Sequence, residues 1–167
     1  FVVLGNATIQ DGGEIDVDGM GFVSETGPGA GSYQFSYGSG AGHGGYGGEG
    51  DNNTRGGPPY DSRIEPVEPG SGGGRTFYSS GGAGGGVLRM EVYGTLLLDG
   101  MIKTNGAIGY GGNQNQSGGG SGGAVLIGAG EIAGSGRIES RGGDGGGGGA
   151  GGRVAVHSSG DKLFSAS

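Results

Sequence analysis

The sequence contains no cysteine, and none of its apolar runs approaches 18 residues. Without cysteine no disulfide can stabilise the fold, and cysteine usage says nothing about the redox compartment. Because a membrane-spanning helix needs about 18 or more apolar residues, we predict no membrane span. Helix of any kind is expected to be almost absent, since glycine costs about 1 kcal/mol at a helical position.

Basic residues are also scarce. The chain has 9 Lys and Arg against 16 Asp and Glu, a formal charge of −7. A nucleic-acid surface needs clustered Lys and Arg, so the balance predicts that nucleic acid is not a partner. Two RGG triplets, at Arg55 and Arg141, are what chance produces in a glycine-rich background.

Glycine dominates what is present: 52 of 167 residues, against a usual share of roughly 7%. Glycine does not recur strictly at every third position and there are only 5 prolines, which excludes collagen. Apolar β-formers are clustered, as in VLRMEV, TLLL, AVLI and RVAV, which argues against disorder. The composition therefore predicts short strands joined by glycine-rich loops.

Three stretches of the chain follow one pattern, and we refer to them as rows. They read NATIQDGGEIDVDG, YGTLLLDGMIKTNG and AGEIAGSGRIESRG. Four positions recur at the same offsets in every row. They are an apolar residue (Ile9, Leu96 and Ile132), a glycine (Gly13, Gly100 and Gly136), an isoleucine (Ile15, Ile102 and Ile138) and a second glycine (Gly19, Gly106 and Gly142). A shared pattern at unequal spacing predicts stacked layers with insertions of different length.

The rows predict one all-β domain over residues 1–167. We expect a parallel β-helix, or solenoid, with rungs near 1–21, 87–106, 124–142 and 153–167. Long glycine-rich loops would join them, among them an insertion over 22–86. The core ladder would consist of Ile15, Leu96, Ile102, Ile132 and Ile138, with the row glycines at the corners. The alternative is an antiparallel glycine-rich β-sandwich, because single rows do not reveal pairing partners.

The insertion contains all five prolines and most aromatic residues. A structureless loop of this length is uncommon inside a compact domain. We expect it to lie along the strands, ordered by aromatic packing and close backbone approach at glycine. Part of it is expected to resemble polyglycine II, with the open left-handed geometry of polyproline II.

Candidate catalytic and metal-binding residues are few. Glu14, Asp16 and Asp18 project from one side of a predicted strand, but no calcium-loop motif accompanies them. A solvated outer face is therefore the favoured interpretation. His43 and His157 are the only histidines, and we expect His43 to bond to a neighbouring backbone. The sequence predicts no catalytic residue, no cofactor and no metal site.

Three N-x-[ST] sequons begin at Asn6, Asn52 and Asn115. Two of them, Asn52 and Asn115, lie in predicted surface loops, where a glycan is tolerated. The interpretation as glycosylation sites requires secretion, and the alternative is chance occurrence of a common triplet. The chain also begins at Phe1 without Met, which we interpret as a processed chain or a module of a longer precursor.

The segments GAGHGGYGGEG, GGAGGGVLRMEVYGTLLLDGMIKTNGAIG and GSGRIESRGGDGGGGGAGGRVAVH, in this order, resemble a glycine-rich repeat module. That module occurs in large secreted or surface proteins of protists, marine invertebrates and some bacteria. The resemblance implies an extracellular or cell-surface module, structural or adhesive, and it brings no catalytic residues.

Function is predicted from the open ends of the stack. One row cannot bury its apolar face alone, and neither terminus shows a capping helix or an edge-blocking Lys and Pro cluster. We therefore expect a non-enzymatic structural subunit of a filament, appendage or matrix that associates with itself or with neighbouring modules. The alternatives are an adhesin whose Tyr33, Tyr37 and Tyr46 bind glycans, and, less favoured, a β-helix polysaccharide lyase or hydrolase.

Overall fold

The computed structural model describes residues 1–112, 115–159 and 162–164. Its regular structure is β-strand, apart from one short 3-10 turn at Asp51–Asn53. The strands are β1 Val2–Val3, β2 Ala7–Ile9, β3 Glu14–Asp16, β4 Val87–Leu98, β5 Met101–Lys103, β6 Gly111–Gly112, β7 Asn115–Gln116, β8 Ala124–Gly134, β9 Arg137–Glu139, β10 Arg153–Ser158 and β11 Lys162–Phe164. No helix within the described ranges is long and apolar enough to cross a membrane.

Two parallel sheets organise these strands. The first sheet has the order β1-β4-β8-β10, with β2 also paired to β4 and β11 to β8. The second sheet has the order β3-β5-β9. A separate antiparallel pair joins β6 to β7. In the second sheet the neighbouring strands β3, β5 and β9 come from the three successive rows of the sequence.

The prediction of a parallel β-helix is wrong, and the antiparallel sandwich is wrong as well. Every strand pair in the two large sheets is parallel, which rules out the sandwich. The sheets do not close into a solenoid within the part of the chain that the structure describes. The physical reason is the path between rows: the chain leaves the second sheet and returns through glycine-rich segments. Those segments are mostly glycine, so they offer too few side chains to build a further sheet face.

The isoleucines of the three rows nevertheless lie in register. Ile15 is the partner of Ile102 in the β3–β5 pair, and Ile102 is the partner of Ile138 in the β5–β9 pair. In the first sheet Leu96 pairs with Ile132. At these positions the register is the one that the alignment of the rows predicts, because apolar residues at the same offset share one buried face. The alignment is wrong at Ile9, which pairs with Leu98 and not with Leu96.

The apolar core lies inside these two sheets. The inward positions of the central strands β4, β5 and β8 are almost fully buried: Leu88, Met90, Val92, Leu96, Leu98, Ile102, Val125, Ile127 and Ile132. Ile15 and Ile138 pack against this core but are only partly buried. They belong to β3 and β9, the outer strands of the second sheet.

Glycine residues carry the chain from the first sheet to the second. Gly13, Gly100 and Gly136 each lie between a strand of the first sheet and one of the second. They stack through the backbone, since Met101 donates to the carbonyl of Gly13 at 2.9 Å and Arg137 to that of Gly100 at 3.0 Å. The prediction that these glycines form corners is confirmed.

The largest difference from the sequence interpretation concerns the predicted loops. The glycine-rich stretches between the predicted rungs were expected to be loops, and 22–86 an insertion along the strands. Instead these stretches pack together as extended segments, most of whose central residues are buried. We call this unit the glycine bundle; its segments are 27–32, 38–44, 47–50, 56–60, 70–74, 81–86, 104–109, 117–123, 140–143 and 147–152. Aromatic packing contributes little to it, because most aromatic side chains of the insertion are exposed.

Segment 117–123 lies at the centre of the glycine bundle. The amides of residues 118–123 donate, in order, to the carbonyls of Gly74, Gly147, Ala107, Ser71, Ala150 and Thr104. Residues three apart thus bond to the same neighbouring segment. A period of three without internal hydrogen bonds is that of polyproline II, so the central segment has the polyglycine-II pattern that was expected within 22–86.

Candidate functional site

The acidic residues of β3 surround a lysine. Lys103 Nζ contacts the carboxylate of Glu14 and lies 2.9 Å from Asp16 Oδ2 and 3.7 Å from Asp18 Oδ2. Lys103 is the register partner of Asp16 on the neighbouring strand. Among the described residues no group of three His, Asp or Glu side chains is placed to hold a metal ion. One lysine thus offsets part of the charge of three carboxylates, and the face stays acidic.

A polar ladder continues from this face. The backbone amide of Asn105 donates to Asp18 Oδ1 at 2.5 Å, and that of Arg141 donates to Asn105 Oδ1 at 2.7 Å. This ladder was not predicted. The sequence does contain a signal for it, because a polar residue directly precedes the final glycine of every row: Asp18, Asn105 and Arg141.

His43 lies in the glycine bundle and is fully buried. Its Nδ1 atom lies 2.7 Å from the carbonyl oxygen of Gly122, and its Nε2 atom lies 3.3 Å from Asp61 Oδ2. The ring stacks on Tyr60, with centroids 4.5 Å apart. The expected bond from His43 to a neighbouring backbone is therefore confirmed, whereas Asp61 and Tyr60 were not anticipated.

Asp61 is the carboxylate at the centre of this cluster, and its side chain is 3% exposed. Burial by itself raises the pKa of Asp61, but hydrogen bonds from the amides of Ser62, Glu68 and Val67 and from His43 outweigh burial and lower it. Asp61 adopts a left-handed backbone, with φ of 66°. This conformation is uncommon outside glycine but tolerated by Asp, and here it closes the turn around the carboxylate.

Tyr60 and Ser71 complete the cluster. The Tyr60 hydroxyl donates to the Pro69 carbonyl and accepts from Ser71 Oγ at 2.9 Å. Burial raises the pKa of Tyr60. Ser71 bonds to Tyr60, whereas the two ring nitrogens of His43 contact Gly122 and Asp61. The cluster therefore lacks the serine–histidine hydrogen bond of a hydrolase triad. These contacts fix the position of the 56–60 segment instead.

The remaining candidates lie on the surface. His157 is exposed, and its Nε2 atom lies 2.8 Å from the Ile64 carbonyl. Asn6 and Asn52 are exposed, whereas Asn115 in β7 is half-buried. Asn6 Oδ1 accepts from the amide of Thr95 at 2.9 Å, which leaves its side-chain nitrogen outside that bond.

The two ends of the row stack are the most distinctive surface of the sheets. We call β1, β2 and β3 the first edge, and β9, β10 and β11 the last edge. Val154 and Val156 of β10 continue the columns of buried Val125 and Ile127, yet they are 45% and 39% exposed. At the first edge Val2 of β1 is exposed, and so is Leu4, which follows β1. Both edges thus present apolar surface beside strand backbone.

A cavity of about 210 Å³ lies at the last edge. It is lined by Leu96, Leu98, Ile127, Ile132, Ile138, Val156 and Ser158. All but Ser158 are apolar, and Ile132 and Ile138 belong to the third row. The cavity therefore lies between the two sheets at the end of the stack, beside the strands of the third row.

Comparison with known proteins adds no relative: the chain matches no family model, no curated protein and no solved structure. Functional assignment therefore depends on the geometry of the two edges and of the glycine bundle. The resemblance to a glycine-rich surface module remains a prediction.

Proposed function

We propose that this protein is a non-enzymatic structural subunit that assembles by pairing the first edge of one copy with the last edge of the next. The observation that supports this proposal is the exposure of core-column residues at the last edge, where Val154, Val156 and the apolar cavity stay uncovered. A parallel strand with unpaired backbone groups and an apolar side is a template for another strand. A copy seated there would bury this surface.

The register of such a contact follows from the rows. If β3 of one copy followed β9 of another, Ile15 would lie over Ile138, as Ile102 does within one chain. The same register places Glu14 opposite Arg137 and Asp18 close to Arg141. Asp16 would face Glu139, whose carboxylate already binds Arg137 at 2.7 Å and Arg141 at 3.1 Å. The acidic first edge is thus complementary to the arginines of the last edge.

Because the two edges differ, the contact is head-to-tail, and a head-to-tail contact that does not close into a ring gives a filament. The same contact serves between neighbouring modules of one longer polypeptide. We extend the proposal to an extracellular or cell-surface filament or matrix, for which the resemblance and the three sequons are the support.

A charge exchange across the proposed contact tests the assignment. The full chain is examined by light scattering and electron microscopy at low salt, up to millimolar concentration. We expect elongated assemblies that Arg137→Glu weakens and the double variant Arg137→Glu with Glu14→Arg restores. Arg55→Glu, at an exposed position on the flank of the glycine bundle, is the matched control. A wild-type chain that stays monomeric, or a double variant no better than the single one, would contradict the proposal.

A further inference from the structure

The end of the glycine bundle that is remote from the sheets collects turns from distant parts of the sequence. Segment 104–109 leaves β5 and segment 117–123 enters β8, so the turn between them lies at the far end. The same reasoning applies to the other turns. We call this end the tip; it consists of residues 33–37, 51–54, 75–80, 108–112, 115–116 and 144–146.

Contacts between these turns show that the tip is one continuous surface. The rings of Phe35 and Phe77 lie 6.2 Å apart, and those of Phe77 and Tyr78 lie 5.1 Å apart. Tyr37 forms a bridge to Gln116. Ser117, at the start of the central segment, donates to the carbonyls of Ser80 and Tyr110.

Aromatic side chains dominate this surface and remain exposed. Those of the tip are Tyr33, Phe35, Tyr37, Phe77, Tyr78 and Tyr110. The turns that carry them read SYQFSY, RTFYSS and YGG. Tyr, Ser, Gly and Asn are the residues of recognition loops, because tyrosine offers rigid amphipathic area at low entropic cost. Six exposed aromatic rings on one small end indicate a binding surface.

Of the three charged groups of the tip, Arg75 and Asp51 have partners, and Asp144 is exposed. Arg75 binds Glu25 at 2.8 Å and lies over the Tyr33 ring at 5.0 Å. The Asp51 carboxylate accepts from the amides of Ser36 and Tyr37. The polar groups left at the surface include the neutral side chains of Asn52 and Asn53, both exposed. This combination favours an uncharged ligand with apolar faces and many hydroxyl groups.

The size of the tip favours a narrow ligand over a protein domain. Ten hydrogen-bonded segments spaced roughly 5 Å apart give a cross-section on the order of 250 Å². A standard protein interface needs about 800 Å² from each partner. A saccharide chain fits the smaller area, because each ring can stack on one aromatic side chain.

We propose that the tip binds a neutral polysaccharide chain through stacking on its exposed aromatic rings. Of the three tyrosines that the sequence suggested for glycan contact, Tyr33 and Tyr37 belong to the tip. Tyr46 lies on the flank of the bundle, with the Arg55 guanidinium 3.9 Å from its ring centroid. This site is independent of the sheet edges, so filament assembly and saccharide binding fail or succeed separately.

The test uses the full chain produced without glycans, because Asn52 and Asn115 lie on the tip. Cellohexaose, chitohexaose and laminarihexaose are titrated by calorimetry, with a Kd near or below about 1 mM expected for at least one of them. Tyr78→Ala is expected to raise that Kd about tenfold. Tyr93→Ala, on β4, is a matched control, since Tyr78 and Tyr93 are 69% and 68% exposed; its Kd should stay unchanged.

Three results would overturn the proposal. The first is that none of the three oligosaccharides binds at a concentration of about 10 mM, well above the expected Kd. The second is an equal loss of affinity in Tyr78→Ala and Tyr93→Ala, which would show that binding does not occur at the tip. The third is a protein that binds an apolar dye at the tip but binds none of the saccharides, because this result would indicate a docking surface for another protein.

Discussion

The backbone of Gly149 passes so close to Gly120 that a Cβ atom on Gly149 would overlap the Gly120 carbonyl oxygen. Gly149 belongs to segment 147–152, which accepts hydrogen bonds from the central segment through Gly147 and Ala150. The atoms nearest to the added Cβ belong to the backbone of Gly120 and Gly119, so no side-chain rotation can relieve the overlap. The glycine bundle therefore depends on the absence of side chains.

This contact predicts a large difference between adjacent glycines. Gly149→Ala is expected to destabilise the protein by about 3 kcal/mol, because the bundle must open to admit a methyl group. Gly148→Ala should change stability by less than about 1 kcal/mol, since the nearest atom to its added Cβ, the Gly143 carbonyl oxygen, is 4.0 Å away. Denaturant unfolding of both variants measures the difference. Equal stabilities would mean that the two segments are not packed as described.

The isoleucine column predicts a second effect. Ile102 is fully buried between Ile15 and Ile138. Ile102→Asp is expected to cost several kcal/mol, because it places an unpaired charge in the core, and Ile102→Ala about 2–5 kcal/mol. Leu97→Ala, on the outward side of β4, is the control and should cost far less. Melting of Ile102→Asp at the wild-type temperature would disprove the register.

The register could be predicted from the sequence because it rests on side chains. Apolar residues at equal offsets must share a face, and Ile15, Ile102 and Ile138 consequently pair as the alignment required. The row glycines at 13, 100 and 136 were recognisable for the same reason. Each marks the place where an apolar pattern stops and resumes.

The glycine bundle could not be predicted in the same way, because glycine has no side chain and leaves no hydrophobic period. Gly119 and Gly147 bond to each other, yet nothing in the sequence selects that pair over many others. The runs were interpreted as loops, and the chain was expected to close as a solenoid. Asp61 was missed because its role depends on His43, 18 residues away, which the fold of the bundle brings within bonding distance.

The position of Lys103 among acidic residues predicts a salt-dependent effect. Lys103→Gln leaves Glu14 and Asp16 without their shared cation, and we expect a loss of about 1 kcal/mol at low salt that shrinks as salt screens the carboxylates. Thermal unfolding at low and high sodium chloride measures this. Arg63→Gln, at an exposed position, is the control. A calcium-induced rise in wild-type melting temperature would contradict the finding that Lys103, and not a metal ion, is the cation of the acidic face.

The Asp61 cluster predicts how stability depends on pH. Hydrogen bonds hold the pKa of Asp61 in the folded state below its ordinary value of 3.8. Because the folded pKa is the lower one, the unfolded chain takes up the proton first as pH falls. The stabilisation from Asp61 is therefore complete above the unfolded pKa and is lost as pH falls through the folded pKa.

Asp61→Asn isolates this contribution, because the variant has no carboxylate to titrate at that position. The free energy of unfolding of wild type minus that of the variant should be constant between about pH 5 and pH 7, then decrease below about pH 4. Urea unfolding at each pH gives both values. Asp144→Asn, at an exposed position of the tip, is the matched control and should show no such decrease. A difference independent of pH would mean that the amides of Ser62, Val67 and Glu68 do not hold the Asp61 carboxylate.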